Sequence, residues 1–196
     1  WFLQDFGGPL AGSQLESVDP GGAIGALVPA QRIVGCVVHA SCSVVAPGVV
    51  RHGFGKRLIL GEPGGGCSPR AQALVQLLVR AGFDAELSTT IQQEIWFKLW
   101  GNMTMNPVSA LTGADSHRIL DDPLVRGFCA NVMREARDIG ERLGIRIDQQ
   151  PEDRHAVTRK LGAFKTSMLQ DVEAGQQVEL DALVGAVREL GSRTGV

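Results

Sequence analysis

The chain has 196 residues, of which 44% are hydrophobic, and this is enough for one sizeable core or two modest ones. The formal net charge is −2 and no lysine- and arginine-rich run occurs, which argues against nucleic acid or an anionic membrane as a partner. The four cysteines lack C-x-x-C spacing and zinc-ligand histidines, and no basic-then-apolar leader opens the sequence. We therefore expect reduced thiols in a cytoplasmic protein, with no metal site.

The first predicted elements are three valine-rich strands, Arg32–His39, Val44–Arg51 and Lys56–Gly61. Residues 33–50 carry no Asp, Glu, Lys or Arg, and this run nearly reaches the length of a membrane helix. It nevertheless contains Pro47, Gly48 and several polar residues. We therefore expect buried strands of a parallel or mixed sheet in place of a membrane span.

A helix and a short strand follow. Ser68 as cap and Pro69 at the first helical position predict a helix through Ala71–Arg80 that stops at Gly82. Phe83–Leu87 is predicted as the next strand. Strand, helix and strand in this order are typical of an α/β domain.

The glycine-rich residues 61–66 lie where a phosphate-binding loop would lie. Their spacing fits neither G-x-G-x-x-G nor a Gly-Lys-Ser/Thr pattern, so a plain flexible loop is the better interpretation. The α/β part also has too few strands for a complete doubly wound sheet. We expect the chain to be the back portion of a longer protein, and to bind a dinucleotide poorly by itself.

The second part of the chain, from about residue 90, is almost wholly helical in pattern. Asp122 and Pro123 mark one helix start, and Gly144 marks its end. Helices are predicted near residues 90–111, 122–143, 152–163, 167–174 and 179–193. No repeat or flexible linker separates the two parts, so we expect two directly packed domains over residues 1–89 and 90–196.

The most informative stretch runs from Ile91 to Pro107. Lys98, Asn102 and Asn106 are spaced four residues apart and span about 80° of one helix face. Tryptophans, phenylalanine and methionines fill most of the remaining circumference, which is typical of a buried helix. The polar stripe therefore indicates a cleft or a partner, since buried polar groups need hydrogen-bond partners.

Two structural alternatives stay open for these residues. Glu94 precedes Lys98 by four residues, in the favourable order for a surface ion pair, and asparagines can serve in helix packing. Further along, Ser167 and Gln170 form a capping-box pattern that explains a helix start without any ligand. Such a helix start can also hold a carboxylate. Glu179 and Asp181 are by themselves ordinary first-turn acids.

Taken together, these segments resemble the ketopantoate reductase family over nearly the whole chain. The shared motifs are Trp96-x-Lys98-Leu99, Asn102, Asn106-Pro107, Ser167–Asp171 and Glu179–Asp181, preceded by Val18–Pro20, Ile33–Cys36 and Pro47-Gly48. Several motifs in one order are more specific than any single motif. Gln176–Val178 departs from the residues that the family often has there, which bears on the exact substrate.

The resemblance implies an α/β plus all-α architecture. Residues 1–89 would be the later portion of a Rossmann NADP-binding domain. Residues 90–196 would form a helical substrate and dimerisation domain similar to the C-terminal domain of 6-phosphogluconate dehydrogenase. The implied activity is NADPH-dependent reduction of 2-dehydropantoate, or a related 2-keto acid, in pantothenate and coenzyme A biosynthesis. A homodimer through the helical domain is the implied assembly.

The resemblance also implies a role for each matching residue. Lys98 would protonate the ketone oxygen. The substrate would be bound by Asn102, Asn106, Ser167 and Ser116. Of these, Ser167 would bind the carboxylate of the substrate. Ser41 and Glu179 would contact the cofactor.

The chemistry is consistent with such an acid. Hydride delivery to a ketone leaves an alkoxide that a positioned acid must protonate, and a lysine in a suitable environment can do so. The chain has no tyrosine, which excludes a Tyr-x-x-x-Lys mechanism within it. A histidine acid stays open among His39, His52, His117 and His155, with His39 expected near a strand end. Two rivals also remain, a non-catalytic helical module for dimerisation or small-ligand binding, and another two-domain hydroxy-acid dehydrogenase.

Overall fold

The computed structural model describes residues 7–196, so residues 1–6 of the predicted 1–89 domain lie outside the described residues. The described chain forms two compact units. The sheet unit contains residues 7–13 and 25–95, and the helical unit contains residues 14–24 and 96–196. The division between domains at residue 90 stays a prediction.

The sheet unit is built on a mixed three-stranded sheet. Strand β1 (Gly35–Ala46) pairs antiparallel with β2 (Val49–Gly61), and β2 pairs parallel with β3 (Asp84–Leu87). The expected mixed sheet and the strand at residues 83–87 are confirmed. The uncharged run over residues 33–50 forms strands, and no helix in the described part of the chain is long and apolar enough to cross a membrane.

The prediction of three separate strands before the first long helix was wrong. Residues 35–61 form one long hairpin, and residue 32 ends a short 3-10 turn. Pairing continues through bulges near Ser41, and Gly55 reaches a φ of +75° where a Cβ would lie 2.5 Å from the His39 carbonyl oxygen. Bulges let two strands stay paired with unequal residue counts. The hairpin therefore continues through residues 40–43 and 52–55, which the prediction left between separate strands.

The expected burial of these strands was also largely wrong. Val37 and Ile59 are buried and pack with Ile91, but residues 41–58 are almost all exposed. The buried part is the end where Gly35 faces Gly61. A Cβ on either glycine would lie within 3 Å of the Ile91 side chain, so the glycine pair makes room for that isoleucine.

Local caps account for the helix that crosses beside this sheet. After a short helix α1 (Ala23–Leu27), helix α2 (Pro69–Arg80) begins at Ser68, whose side chain accepts a hydrogen bond from the Ala71 amide. Gly82 follows with a φ of +91°, as expected just past a helix end. The predicted start, proline position and stop are confirmed.

The remaining helices lie wholly or mainly in the helical unit. They are α3 (Ile91–Thr112), α4 (Ser116–Asp121), α5 (Pro123–Arg142), α6 (Pro151–Lys160), α7 (Ser167–Glu173) and α8 (Ala186–Thr194), with a π-helical turn at Asp181–Gly185 before α8. Asp122 caps α5 by accepting from the Leu124 and Val125 amides. The five predicted helices are confirmed. The short helix α4, capped by Asp115, was not predicted.

Residues 14–24 join the helical unit through Glu189 on α8. The Glu189 carboxylate accepts hydrogen bonds from the Glu16 amide at 3.0 Å and from the Ser17 amide and hydroxyl at 2.9 and 2.8 Å. Burial works to raise the pKa of Glu189, but the hydrogen bonds from Ser17 and Glu16, together with the charge of Arg193, leave the pKa lowered. The ionised carboxylate thus fixes this early segment to the last helix.

Candidate active site

Helix α3 carries the polar stripe identified in the sequence, and the rest of the helix is mostly buried and apolar. Asn106 is buried, and Lys98 and Asn102 are half-buried. Trp96 and Trp100, which flank Lys98, are each only 1% exposed, and the Trp100 indole donates to the Met133 carbonyl at 2.6 Å. The prediction of a buried helix with a polar stripe is confirmed.

A cavity of about 150 Å³ in the helical unit opens against this stripe, beginning about one helical turn past Lys98. Asn102 and Asn106 from α3 form one wall, and one face of α6 forms another. The lining residues are Gly101, Asn102, Thr104, Met105, Asn106, Met133, Arg154, His155, Val157, Thr158, Leu161, Phe164 and Thr166. The cavity therefore combines polar hydrogen-bonding groups with an apolar floor, as small-molecule sites do.

Asn106 connects the stripe to helix α7. Its Nδ2 atom donates to the Ser167 hydroxyl at 3.4 Å, so two of the predicted substrate residues lie together. The expected capping box at Ser167 was wrong. The N-cap is Thr166, whose hydroxyl accepts from the Leu169 amide at 3.2 Å. Ser167 is the first helical residue and is exposed, and its hydroxyl does not cap the helix.

Ser116 lies at the buried end of α4 and is tied to the loop before α7. Its hydroxyl donates to the Gly162 carbonyl and accepts from the Phe164 amide, both at 3.2 Å. The backbone amide of Ser116 also donates to the Phe164 carbonyl. These bonds give Ser116 a structural role in holding the cavity-lining Phe164, and its substrate contact stays a prediction.

Ser41 and Glu179 are both exposed. Ser41 faces Phe54 in the bulged part of the hairpin, and Glu179 lies just before the π-helical turn. Their cofactor contacts stay predictions. His39 lies within β1, so its expected place near a strand end was wrong.

Arg154 is a cavity residue that the sequence did not select, and His155 was named only among four histidines that could act as an acid. His155 is 5% exposed, and its Nε2 atom has no hydrogen-bond partner in the described chain. Burial is the main cause that lowers the pKa of His155, and it thereby favours the neutral ring. Their helix was predicted, and the spacing of Arg154, Thr158 and Leu161 fits one helical face. Nothing in that pattern indicates that this face meets α3.

Backbone hydrogen bonds occupy two amides of the glycine-rich loop over residues 61–66, and the flexibility of this loop stays a prediction. The Gly65 amide donates to the Glu62 carbonyl at 2.9 Å, and the Gly66 amide donates to the Thr89 carbonyl at 2.8 Å. Both amides are therefore unavailable to a phosphate. The Glu62 carboxylate accepts from Arg70 and from the Ser68 hydroxyl, and Arg70 also donates to carbonyls of residues 31 and 33.

Glu62 should make the sheet unit sensitive to acid. The Arg70 hydrogen bonds, opposed by burial and aided by Ser68, lower the pKa of Glu62 from 4.5 to about 2. Because the pKa of Glu62 is lower in the folded protein than in the unfolded chain, ionised Glu62 stabilises the fold fully above a pH of 4.5. This stabilisation disappears as the pH falls through the folded pKa of about 2. Glu62→Gln should therefore lower the free energy of unfolding by about 1–2 kcal/mol at pH 7, with the difference shrinking toward pH 2.

Urea denaturation of both proteins across this pH range measures the effect. The control is Glu86→Gln, since Glu86 pairs with Arg57 on the exposed sheet surface at 2.5 Å and should contribute about 0–1 kcal/mol. Equal losses in the two variants, or a pH-independent loss at Glu62, would contradict the assigned ion pair.

Comparison with known proteins places these features in a family. Residues 90–196 match the family model described as ketopantoate reductase PanE/ApbA C terminal. A 2-dehydropantoate 2-reductase of Mesorhizobium japonicum is 47% identical over 97% of this chain and 59% of its own length. The chain thus spans about 60% of the length of such relatives.

Solved structures described as ketopantoate reductases also superpose on this chain. A crystal structure from Ralstonia solanacearum MolK2, provisionally assigned as a ketopantoate reductase, superposes with a TM-score of 0.96 at 58% identity, covering 100% of this chain and 60% of that one. A 2-dehydropantoate 2-reductase from Methylococcus capsulatus gives a TM-score of 0.81 at 32% identity, covering 88% and 60%. D-mandelate dehydrogenase with NADH shares the fold at 22% identity, with a TM-score of 0.79 and coverage of 88% and 60%.

Proposed function

The chain belongs to the ketopantoate reductase family, and from that premise we propose that its full-length protein reduces ketopantoate, or a related branched 2-keto acid, with NADPH. The observation that carries the proposal is the cavity beside α3, where Asn102 and Asn106 face inward one and two turns past Lys98. A small keto acid needs this kind of site, with polar groups for its oxygens and an apolar floor for its branched carbon chain.

The proposed mechanism assigns the proton to Lys98. As the carbonyl becomes an alkoxide, the Lys98 ammonium donates a proton to that oxygen, which removes the charge that would otherwise build up. Asn102 and Asn106 orient the substrate oxygens through their amide groups. Ser167, whose hydroxyl accepts from Asn106 at 3.4 Å, would add a hydroxyl donor beside Asn106, although it does not itself line the cavity. The buried neighbours of α3 keep water away from this step.

The residues that would bind the cofactor are the least complete part of the proposed site. A reduced nicotinamide would supply the hydride when bound. Among residues 7–196, the glycine-rich loop uses its amides at 65 and 66 internally, so it offers no cradle for a pyrophosphate. Contacts from Ser41 and Glu179, and a Rossmann domain for the sheet unit, remain parts of the proposal.

The test is turnover by the full-length protein. NADPH oxidation, followed by absorbance, should be fastest with ketopantoate in a panel that includes 2-oxo-3-methylbutanoate, pyruvate and an aryl 2-keto acid, and slower with NADH. Preference for the aryl acid would favour the hydroxy-acid dehydrogenase alternative. Absence of turnover with every acid would favour a non-catalytic ligand-binding or dimerisation module.

We further propose a homodimer formed through the helical unit in the cytoplasm. A ketopantoate reductase from Staphylococcus aureus described as dimeric shares the fold at 20% identity. Light scattering coupled to size exclusion measures the mass of the full-length protein, and a monomer at micromolar concentration would contradict this assembly.

A further inference from the structure

Arg154 places an uncompensated positive charge on the cavity wall. Within residues 7–196, its guanidinium group has no ion pair and no hydrogen bond, and it lies against an aromatic ring. The two acids next to Arg154 in the sequence, Glu152 and Asp153, interact with other residues. Glu152 pairs with Arg134 at 2.6 Å, and the Asp153 carboxylate accepts from the Gln150 amide at 3.0 Å. The cation is therefore unpaired although acids lie next to it in sequence.

The guanidinium group is held against helix α3 by two residues one turn apart. Its Cζ atom lies 4.9 Å from the centre of the Phe97 ring, a cation–π contact. A Cβ on Gly101 would lie only 2.9 Å from its Nε atom and 3.1 Å from Nη2. Gly101 therefore provides the space that the guanidinium occupies. The next residue is Asn102, so the cation lies beside the polar stripe and lines the same cavity.

This position is energetically unfavourable without an anion. Burial lowers the pKa of Arg154, because the charge loses part of its hydration and no carboxylate lies against the guanidinium in the described chain. The adjacent His155 also lines the cavity, and its buried Nε2 atom has no hydrogen-bond partner in the described chain. A planar guanidinium binds a carboxylate through two parallel hydrogen bonds, which a hydroxyl or an amide cannot match.

We propose that Arg154 is the substrate-anchoring cation of this site, binding the carboxylate of the 2-keto acid and thereby selecting acids over neutral ketones. The inference rests on the proposed function and adds the residue that recognises charge. The substrate enters with its carboxylate toward α6 and its ketone toward the stripe on α3. Ser167 then acts as a neutral hydroxyl contact, and the charge recognition belongs to Arg154.

The experiment measures binding by calorimetry to the full-length protein, with 2-oxo-3-methylbutanoate and its primary amide as probes. Arg154→Gln should weaken binding of the acid by about 10- to 100-fold and leave the weak binding of the amide unchanged. Arg154→Lys keeps the charge without the planar fork and should weaken acid binding by about tenfold. The matched control is Lys160→Gln, an exposed cation on the same helix, which should bind the acid like the unmodified protein.

Two results overturn the inference, and a further comparison covers a variant that does not fold. Equal acid affinity in the Arg154 and Lys160 variants overturns the inference, as does equal affinity of the unmodified protein for acid and amide. If Arg154→Gln does not fold, the acid-to-amide preference of Arg154→Lys against the unmodified protein decides in the same way. Turnover of the unmodified protein is measured separately, so that loss of the proposed reductase activity is distinguished from loss of the anchoring role.

Discussion

Replacing Lys98 with alanine lowers kcat of the full-length protein by about 10²- to 10⁴-fold, the usual contribution of a positioned general acid. Lys98 is half-buried on α3, one turn before the cavity that Asn102 lines. Alanine keeps the helix and removes the ammonium that would protonate the alkoxide. The loss should fall mainly on kcat, because the residues proposed to hold the substrate remain.

The fold should survive this change, since the packing of α3 depends on Trp96, Trp100 and other buried apolar residues. Circular dichroism and urea denaturation check that point, and Lys160→Ala serves as the control because Lys160 is an exposed lysine outside the cavity. Turnover of Lys98→Ala close to that of Lys160→Ala would refute the role of Lys98 as proton donor.

The second large effect is expected at Gly140, where α5 meets α3. A Cβ on Gly140 would lie 2.5 Å from the Trp96 Nε1 atom and 2.8 Å from the Ile145 carbonyl oxygen. Trp96 is only 1% exposed, so the ring has little room to move. Gly140→Ala should lower the free energy of unfolding by about 2–3 kcal/mol through overpacking, although alanine is the better helix former.

Gly127 on the same helix is the matched control. Nothing lies within 4 Å of a Cβ built there, so Gly127→Ala should raise the free energy of unfolding by about 0.5–1 kcal/mol through helix propensity alone. Urea denaturation of both variants, with m-values compared, measures the two effects. If both variants gain stability, the close contact at Gly140 does not constrain the fold.

The helices could be predicted because their signals are local. Ser68 with Pro69, and Asp122 with Pro123, mark helix starts through bonds to amides two or three residues away. The apolar circumference of α3 likewise predicted its burial without knowledge of its partners. The long hairpin was not predicted, because a bulge depends on the opposite strand. The glycines at 53 and 55 are needed only because they lie against the backbone of residues 39–41.

The candidate site was predicted along α3 and missed along α6. Lys98, Asn102 and Asn106 follow one helical spacing that a single segment displays. Arg154 is an ordinary arginine in its own helix, and it becomes distinctive only when Phe97 and Gly101 meet it from a segment more than fifty residues away. Ser116, in contrast, was selected from the sequence, but its buried hydroxyl is hydrogen-bonded to the backbone of residues 162 and 164.

The two tryptophans that flank Lys98 give this helix an optical reporter. Buried indoles emit at shorter wavelengths than hydrated ones, and Trp96 and Trp100 are each 1% exposed. The chain has three tryptophans, so replacing Trp1 with phenylalanine restricts the intrinsic fluorescence of this chain to α3. Loosening of α3 from α5 would then register as a red shift, without any label attached near the lysine.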